Sequence, residues 1–200
     1  MSGALAVIIP MKSLSLAKRR LHPALSRAAR RALALEMLEH VLATVSASGV
    51  ADLCVLISAD TEILHLAPRH GFEGVRETQS GYNQVVRQGL NWAAERGAAA
   101  ALVLPADLPY LTAKELQELT ALARTAHPAV VLAPDAREAG TNALLLRPPL
   151  LMRPSFGPNS FARHCHLTRQ LGIEPIIYRA PGLAHDVDWP ADLLTLPAAT

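Results

Sequence analysis

Four cationic side chains follow directly on the first apolar run of this chain. Ala4 to Ile9 is apolar, Pro10 interrupts it, and Lys12, Lys18, Arg19 and Arg20 come next. No Asp or Glu precedes Glu36. A cationic loop at the carboxyl end of a first strand is suited to hold several phosphates at once. There is no glycine between Met11 and Leu21, so this is not the glycine-rich cradle that binds phosphate through backbone amides. Lys12, Lys18 and Arg20 would act instead through side-chain charge. The plainer alternative is a solvated basic loop.

The acidic counterparts lie far along the chain. Asp107, in Pro105-Ala106-Asp107-Leu108-Pro109, stands just past the most apolar segment. A carboxylate there can hold Mg²⁺, which takes one or two carboxylates together with substrate phosphates; an ordinary turn aspartate is the alternative. In His185-Asp186-Val187-Asp188-Trp189-Pro190, the two aspartates alternate in an extended segment and can face one side. Either could complete a metal site with Asp107. Asp188 also stands where a residue would cap a helix beginning at Pro190.

Three further segments carry polar chemistry. Gly140-Thr141-Asn142 and Phe156-Gly157-Pro158-Asn159-Ser160-Phe161 frame a helix start at Asn159 or Ser160, where free N–H groups and the positive dipole end can bind an anion or simply be capped. Ser80-Gly81-Tyr82-Asn83 precedes another helix and could reach a nucleobase with backbone amides and the Asn83 amide, or be a plain turn. His164-Cys165-His166 is no metal triad, because adjacent helical residues point about 100° apart; these histidines read as exposed or internally satisfied.

The elements that must position these groups alternate. Strands are expected at Ala4–Ile9, Asp52–Ser58, Glu73–Arg76, Ala98–Leu104, Val130–Ala133, Ala143–Arg147 and Pro175–Tyr178. Helices are expected from Ser26 as N-cap to Ser48 with Gly49 as the stop, over Thr61–Pro68, over Asn83–Arg96 ended by Gly97, from the Thr112/Glu115 capping box to about Thr125, over Asn159–Gln170, and briefly from Pro190. This alternation argues for an α/β layered fold with a mostly parallel sheet, in one domain spanning residues 1–200. Ligands of such sheets bind beyond the carboxyl ends of the strands.

Composition narrows the classes. Half of the 200 residues are apolar, enough for a substantial core, yet no apolar run reaches the roughly 18 residues of a membrane span. Seven of the 19 Lys and Arg residues fall between Lys12 and Arg31, although the net charge is only +2; that asymmetry points to an anionic partner near the N-terminal loop. The two cysteines, Cys54 and Cys165, make no disulfide framework, and a reducing cytoplasmic setting is expected. The acid-poor start is not read as a transit peptide, since a strand begins almost at once and Pro10 and Pro23 break any amphipathic helix.

In order, Ile9-Pro10-Met11-Lys12 with Ala17-Lys18-Arg19-Arg20-Leu21, Gly81-Tyr82-Asn83, Leu104-Pro105-Ala106-Asp107-Leu108-Pro109, Gly140-Thr141-Asn142-Ala143-Leu144, Phe156-Gly157 to Ser160-Phe161 and His164, and Asp186-Val187-Asp188 with Pro190 resemble the phospholactate guanylyltransferase (CofC) family. That family lies within the molybdenum-cofactor-guanylyltransferase-like nucleotidyltransferases. The resemblance covers nearly the whole chain. It implies a Rossmann-like three-layer sandwich of the nucleotidyltransferase or GT-A-like kind. It also implies transfer of GMP from GTP to the phosphate of a three-carbon acid, with release of pyrophosphate, in synthesis of the deazaflavin coenzyme factor 420. The acid would be 2-phospho-L-lactate, phosphoenolpyruvate or 3-phospho-D-glycerate.

Carried onto this sequence, the resemblance assigns Lys12, Lys18, Arg20 and Asp107 to catalysis, and Mg²⁺ to Asp107 with Asp186 or Asp188. It gives the nucleotide Pro10, Gly81 and Asn83, and the acid Thr141, Gly157, Asn159 and Ser160. Two positions depart from the family pattern. Arg19 stands where a small residue is frequent, and Asn159 where glycine is frequent. The added amide of Asn159 favours an acid bearing an extra hydroxyl, 3-phospho-D-glycerate. The enzyme is expected to be a monomer or homodimer without nucleic-acid or membrane partners, and its product could pass to a downstream transferase. Two other classes compete. One is a nucleic-acid-binding module using the basic loop and Arg27, Arg30 and Arg31, which the eight aromatics, none interleaved with that cluster, disfavour. The other is a glycosyltransferase using the Asp186/Asp188 pair.

Overall fold

The computed structural model describes residues 3–15 and 18–195; Ala17, part of the basic motif, lies outside the described residues. Seven strands form one sheet: β1 (Leu5–Pro10), β2 (Leu53–Ser58), β3 (Glu73–Arg76), β4 (Ala100–Val103), β5 (Ala129–Pro134), β6 (Thr141–Arg147) and β7 (Ile176–Ile177), in the order β3-β2-β1-β4-β6-β5-β7. β1 is parallel to both β2 and β4, β2 to β3, and β5 to β7, while β6 runs antiparallel to β4 and β5. The reversal follows from a short connection: residues 135–140 cannot make the crossover of a dozen or more residues that a parallel neighbour needs. Asp135 shapes that turn by accepting from the amides of Arg137, Ala139 and Gly140 at 3.1, 2.9 and 2.9 Å.

The sheet is covered on both faces, and the period-2 alternation of its strands sorts the side chains. In β1, Val7 and Ile9 face one way and Ala6 and Ile8 the other. The first face packs against α1 (Arg27–Ser48), α2 (Thr61–Leu64), α4 (Ala113–Leu122) and α6 (Pro181–Ala184), through Leu38, Leu42, Ile63, Leu116 and Leu183. The second packs against α3 (Tyr82–Glu95) and α5 (Ser160–Gln170), through Val86, Leu90 and Cys165. This is the α/β layered arrangement the alternation predicts and the three-layer sandwich the family resemblance implies.

The caps read from sequence are in place. Ser26 Oγ accepts from the Ala29 amide at 3.2 Å, Gly49 ends α1 at φ 64°, and Thr112 and Glu115 form a reciprocal capping box. Several boundaries differ. The apolar run Ala98–Leu104 forms a strand only over its middle, because the turn after α3 still binds its start. α4 closes at Leu122 rather than near Thr125. The expected Thr61–Pro68 helix splits into α2 and a 3₁₀ turn over Ala67–His70, since Pro68 supplies no N–H to continue it. α6, opened by Pro181, was not expected at all.

The order reverses direction between β1 and its two neighbours: the chain moves from β1 outward through β2 to β3, then returns to the other side of β1 with β4. A crevice opens beyond the carboxyl ends of strands at such a switch point. The segments after β1 and β4, which carry Lys12, Lys18 and Asp107, therefore meet at one rim.

α3 approaches β1 and β2 closely at Gly89, where an added Cβ would lie 3.0 Å from Ile57 Cδ1 and nearer still to Ile8. Gly89→Val is expected to destabilise the fold by about 3 kcal/mol through overpacking, measurable as a lowered urea midpoint with an unchanged denaturant slope.

Candidate active site

A cavity of about 1050 Å³ occupies the switch-point crevice. Pro10, Met11 and Lys12 line it from the end of β1, Pro105 to Asp107 from the end of β4, and Thr141 and Asn142 from the start of β6. Because β6 runs the opposite way, its first residues, not its last, reach this rim. Gly157 to Ser160 and Asp186 to Trp189 complete the wall.

One oxygen from each of Asp107, Asp186 and Asp188 lies within 4.8 Å of the others. Among the described residues this is the only such cluster of possible metal ligands. Lys18 reaches into it. Its ammonium bonds Asp107 Oδ2 and lies 3.3 Å from Asp188 Oδ1, with only 8% of the side chain exposed. Arg20 Nη1 binds the other oxygen of Asp188 at 2.9 Å, and its guanidinium lies 4.9 Å from the centre of the Trp189 ring. Burial alone would lower the Lys18 pKa, but Asp107 and Asp188 outweigh it and hold the value raised. Among the described residues no cation pairs with Asp186. Burial first, then the charges of Asp107 and Asp188, push its carboxyl up to about 6 against a partial offset from the Asn142 amide at 3.4 Å. The donor set is all carboxylate oxygen, which suits a hard divalent cation such as Mg²⁺.

The backbone explains how the basic loop turns inward. Lys18 adopts a left-handed conformation at φ 50° and opens a 3₁₀ turn over Arg19–Leu21 that anchors on the buried Leu21. Arg19 and Arg20 stay exposed while Lys18 points at the carboxylates. Lys12 is exposed on the cavity wall.

The acid-pocket candidates converge on one side of the cavity. Gly157 has φ 121° and Asn159 φ 55°, both in the left-handed region. Asn159 makes no side-chain cap bond, so its amide does not serve as the helix cap that the sequence allowed. Its conformation is also one that glycine accepts without cost and asparagine tolerates. The start of α5 is less open than expected: the Ser160 amide donates to Gly157 O at 3.0 Å and the Phe161 amide to Ala139 O at 3.3 Å. Thr141 Oγ1 sits 2.9 Å from His164 Nδ1.

Two expectations need correction. Asn83 does not present its amide to the cavity. Its Nδ2 donates to Phe156 O at 3.0 Å and its Oδ1 accepts from the Phe156 amide at 2.7 Å, so it clamps the loop leading to Gly157. Gly81 and Asn83 are absent from the cavity wall, and Tyr82 between them lines it, edge-on to Phe156 at 5.2 Å. Asp188 is not a helix cap. Its carboxylate holds Lys18 and Arg20, and Asp192 Oδ2 instead accepts from the amides of Asp188 and Trp189 at 2.9 and 2.7 Å.

Sequence reasoning gave no role to Asn142, Tyr82 or His164. Asn142 Nδ2 donates to Leu183 O at 2.9 Å and steadies Asp186. Its signal was its place beside Thr141: neighbours on a strand face opposite ways, so one meets α5 and the other the segment after α6. His164 was expected to be exposed or satisfied; it is fully buried and satisfied.

Residues 5–197 match the family model described as "Guanylyl transferase CofC like". The chain belongs to the CofC guanylyl transferase family. A phosphoenolpyruvate guanylyltransferase of Sphaerobacter thermophilus is 41% identical over 186 residues, 93% of this chain and 89% of that protein. A 3-phospho-D-glycerate guanylyltransferase of Colwellia psychrerythraea is 33% identical, covering 94% of this chain and 88% of its own. In fold, the CofC chain resembles a putative nucleotide-diphospho-sugar transferase from Desulfovibrio desulfuricans, with a TM-score of 0.77 at 14% identity over 94% of this chain and 84% of that one. It also resembles a 4-diphosphocytidyl-2C-methyl-D-erythritol synthase, with a TM-score of 0.67 at 16% identity over 97% and 96%. Membership of the CofC family makes this chain a nucleotidyltransferase. No helix among the described residues is long and apolar enough to cross a membrane.

The Asp186 carboxyl is expected to titrate near pH 6 in the metal-free protein, read by carboxyl ¹³C NMR. Its folded value lies above the ordinary 3.8, so its contribution to stability is fullest below that value and is lost as pH rises to about 6. Asp107→Asn removes a like charge and is expected to lower the midpoint.

Proposed function

We propose that residues 1–200 act as one nucleotidyltransferase domain that moves GMP from GTP to the phosphate of a three-carbon phosphorylated acid. An oxygen of the acid's phosphate attacks the α-phosphorus, the bond from that phosphorus to the bridging β-oxygen breaks, and pyrophosphate leaves. The observation that carries this reading is the convergence of Lys18, Arg20 and three carboxylates at the mouth of one cavity. Both substrates are polyanions, and a phosphate monoester alone carries about −1.5 to −2 at pH 7. Their repulsion is the main obstacle to reaction.

Asp107, Asp186 and Asp188 would hold Mg²⁺, which when bound supplies charge neutralisation of the triphosphate. Lys12, Lys18 and Arg20 add cations around the same phosphates and stabilise the charge that develops on the leaving pyrophosphate. Lys18, held by Asp107 and Asp188, would place its charge beside the metal-neutralised phosphates. The attacking phosphate is already anionic, so no side chain need remove a proton. Catalysis is then alignment in line with the leaving group. Pro10 lines the part of the cavity that would receive the nucleotide, while Asn83, away from the wall, clamps Phe156 and so supports the loop before Gly157. Thr141, Gly157, Asn159 and Ser160 receive the acid.

Relatives named phosphoenolpyruvate guanylyltransferase support that compound as the acid. The Asn159 amide, which makes no side-chain cap bond, favours a second reading, 3-phospho-D-glycerate, whose hydroxyl it can meet. The product would feed assembly of the deazaflavin coenzyme factor 420 in the cytoplasm, with a downstream transferase consuming it.

Incubation with GTP, Mg²⁺ and each of phosphoenolpyruvate, 3-phospho-D-glycerate and 2-phospho-L-lactate is expected to release pyrophosphate with at least one acid; release with none overturns the reading. Asp107→Ala is expected to lower turnover by about 10²–10³-fold or more, and near-normal activity would refute its role. In a competition assay, Asn159→Gly, which suits the left-handed backbone there, is expected to shift preference from 3-phospho-D-glycerate towards phosphoenolpyruvate.

A further inference from the structure

His164 lies on α5, fully buried behind the cavity wall, and no step of the chemistry above uses it. Its two ring nitrogens have different partners. Nε2 is 2.9 Å from the backbone N of Ser155, and Nδ1 is 2.9 Å from Thr141 Oγ1. A backbone N–H can only donate, so Nε2 must be the acceptor and carries no proton. In the neutral ring the proton then sits on Nδ1 and is donated to Thr141 Oγ1. Burial, and then the charge of Arg163, push the His164 pKa down to about 4, which keeps the ring neutral at physiological pH. Phe156 stands edge-on to the ring at 4.9 Å and closes it in.

The consequence falls on the Thr141 hydroxyl. A hydroxyl has one donor hydrogen and two accepting lone pairs. His164 fills an accepting direction on the buried side. Among the described residues no acceptor for the Thr141 hydrogen is present, and Thr141 lines the cavity. The hydrogen is therefore left for whatever the cavity contains.

We propose that His164 is a positioning residue: by donating from Nδ1 to Thr141 Oγ1, it turns that hydroxyl into a dedicated donor to an anionic oxygen of the acid substrate. The inference rests, for the ligand it names, on the guanylyl transfer reading above. The same ring ties the Ser155 amide down, and Asn83 holds Phe156 next to it. A fixed chain of donors thus runs from the loop, through the imidazole, to the cavity. A hydroxyl oriented before binding pays no reorganisation cost when the anion arrives, and it disfavours a ligand that offers a donor at that point.

Two variants separate this role from simple packing. His164→Asn keeps a donor near the Nδ1 position but cannot accept from Ser155. His164→Gln can place its oxygen to accept from Ser155 but loses the donor to Thr141. Steady-state kinetics with GTP and the preferred acid are expected to show the acid KM raised about tenfold in His164→Gln, less in His164→Asn, and the GTP KM unchanged in both. In a Thr141→Val background, His164→Gln is expected to add no further rise in acid KM, because the hydroxyl it orients is gone. Additive effects, equal effects of the two His164 variants, or a parallel rise in the GTP KM would overturn the proposal.

The wild-type protein supplies a measurement that needs no variant to fold. Long-range ¹H–¹⁵N NMR is expected to show His164 as the Nδ1–H tautomer throughout the neutral range. A proton on Nε2 overturns the inference whatever the enzyme transfers, whereas failure to release pyrophosphate with any acid overturns the functional reading and leaves the tautomer result to decide this one.

Discussion

The site depends on holding three carboxylates where they repel one another. Asp107 arrives from the end of β4, and Asp186 and Asp188 from the segment after α6. Gathering like charges in a half-buried crevice is unfavourable unless cations accompany them. Lys18 and Arg20 provide that company for Asp107 and Asp188. Asp186 receives neutral N–H donors, a backbone amide and the Asn142 side chain, which only partly offset its burial and the charges of Asp107 and Asp188, so its pKa stays raised. The arrangement is thus incompletely neutralised by the protein itself, the electrostatic condition that favours uptake of a divalent cation.

The sheet makes this gathering possible. Each face of the central strands is buried under helices, so the strand ends are the only places where polar groups from distant parts of the chain can meet without entering the core. The reversed β6 matters here. It brings the beginning of a strand to the rim where its parallel neighbours bring their ends, so Thr141 and Asn142 stand opposite Pro105 to Asp107. Those two residues then serve opposite layers, one bonded to α5 and the other to the segment carrying Asp186.

Local chemistry made much of this legible in the sequence. Ser26, Gly49 and the Thr112/Glu115 pair marked helix ends because caps are set by neighbouring residues alone. The apolar run before Pro105 announced a central strand and placed Asp107 at its edge. The inward turn of Lys18 was not legible, since it depends on a left-handed residue and on carboxylates 89 and 170 positions away. Asn83 was misread for a similar reason: an amide before a helix has many possible partners, and only tertiary structure brought Phe156 to it. His164 looked like part of a short His-Cys-His string, yet the residues that define it are Thr141 and Ser155, on two other segments.

The backbone at Asn159 has an evolutionary consequence. A left-handed residue on the cavity wall restricts which side chains can be exchanged there. Glycine enters freely, asparagine and aspartate at small expense, and most others carry a conformational penalty of about 1–2 kcal/mol. Exchange at this position is therefore expected to be easiest among three side-chain types: none, a neutral amide, or a negative charge. Exchange among those three resets the polarity of this stretch of the cavity wall without rebuilding the loop.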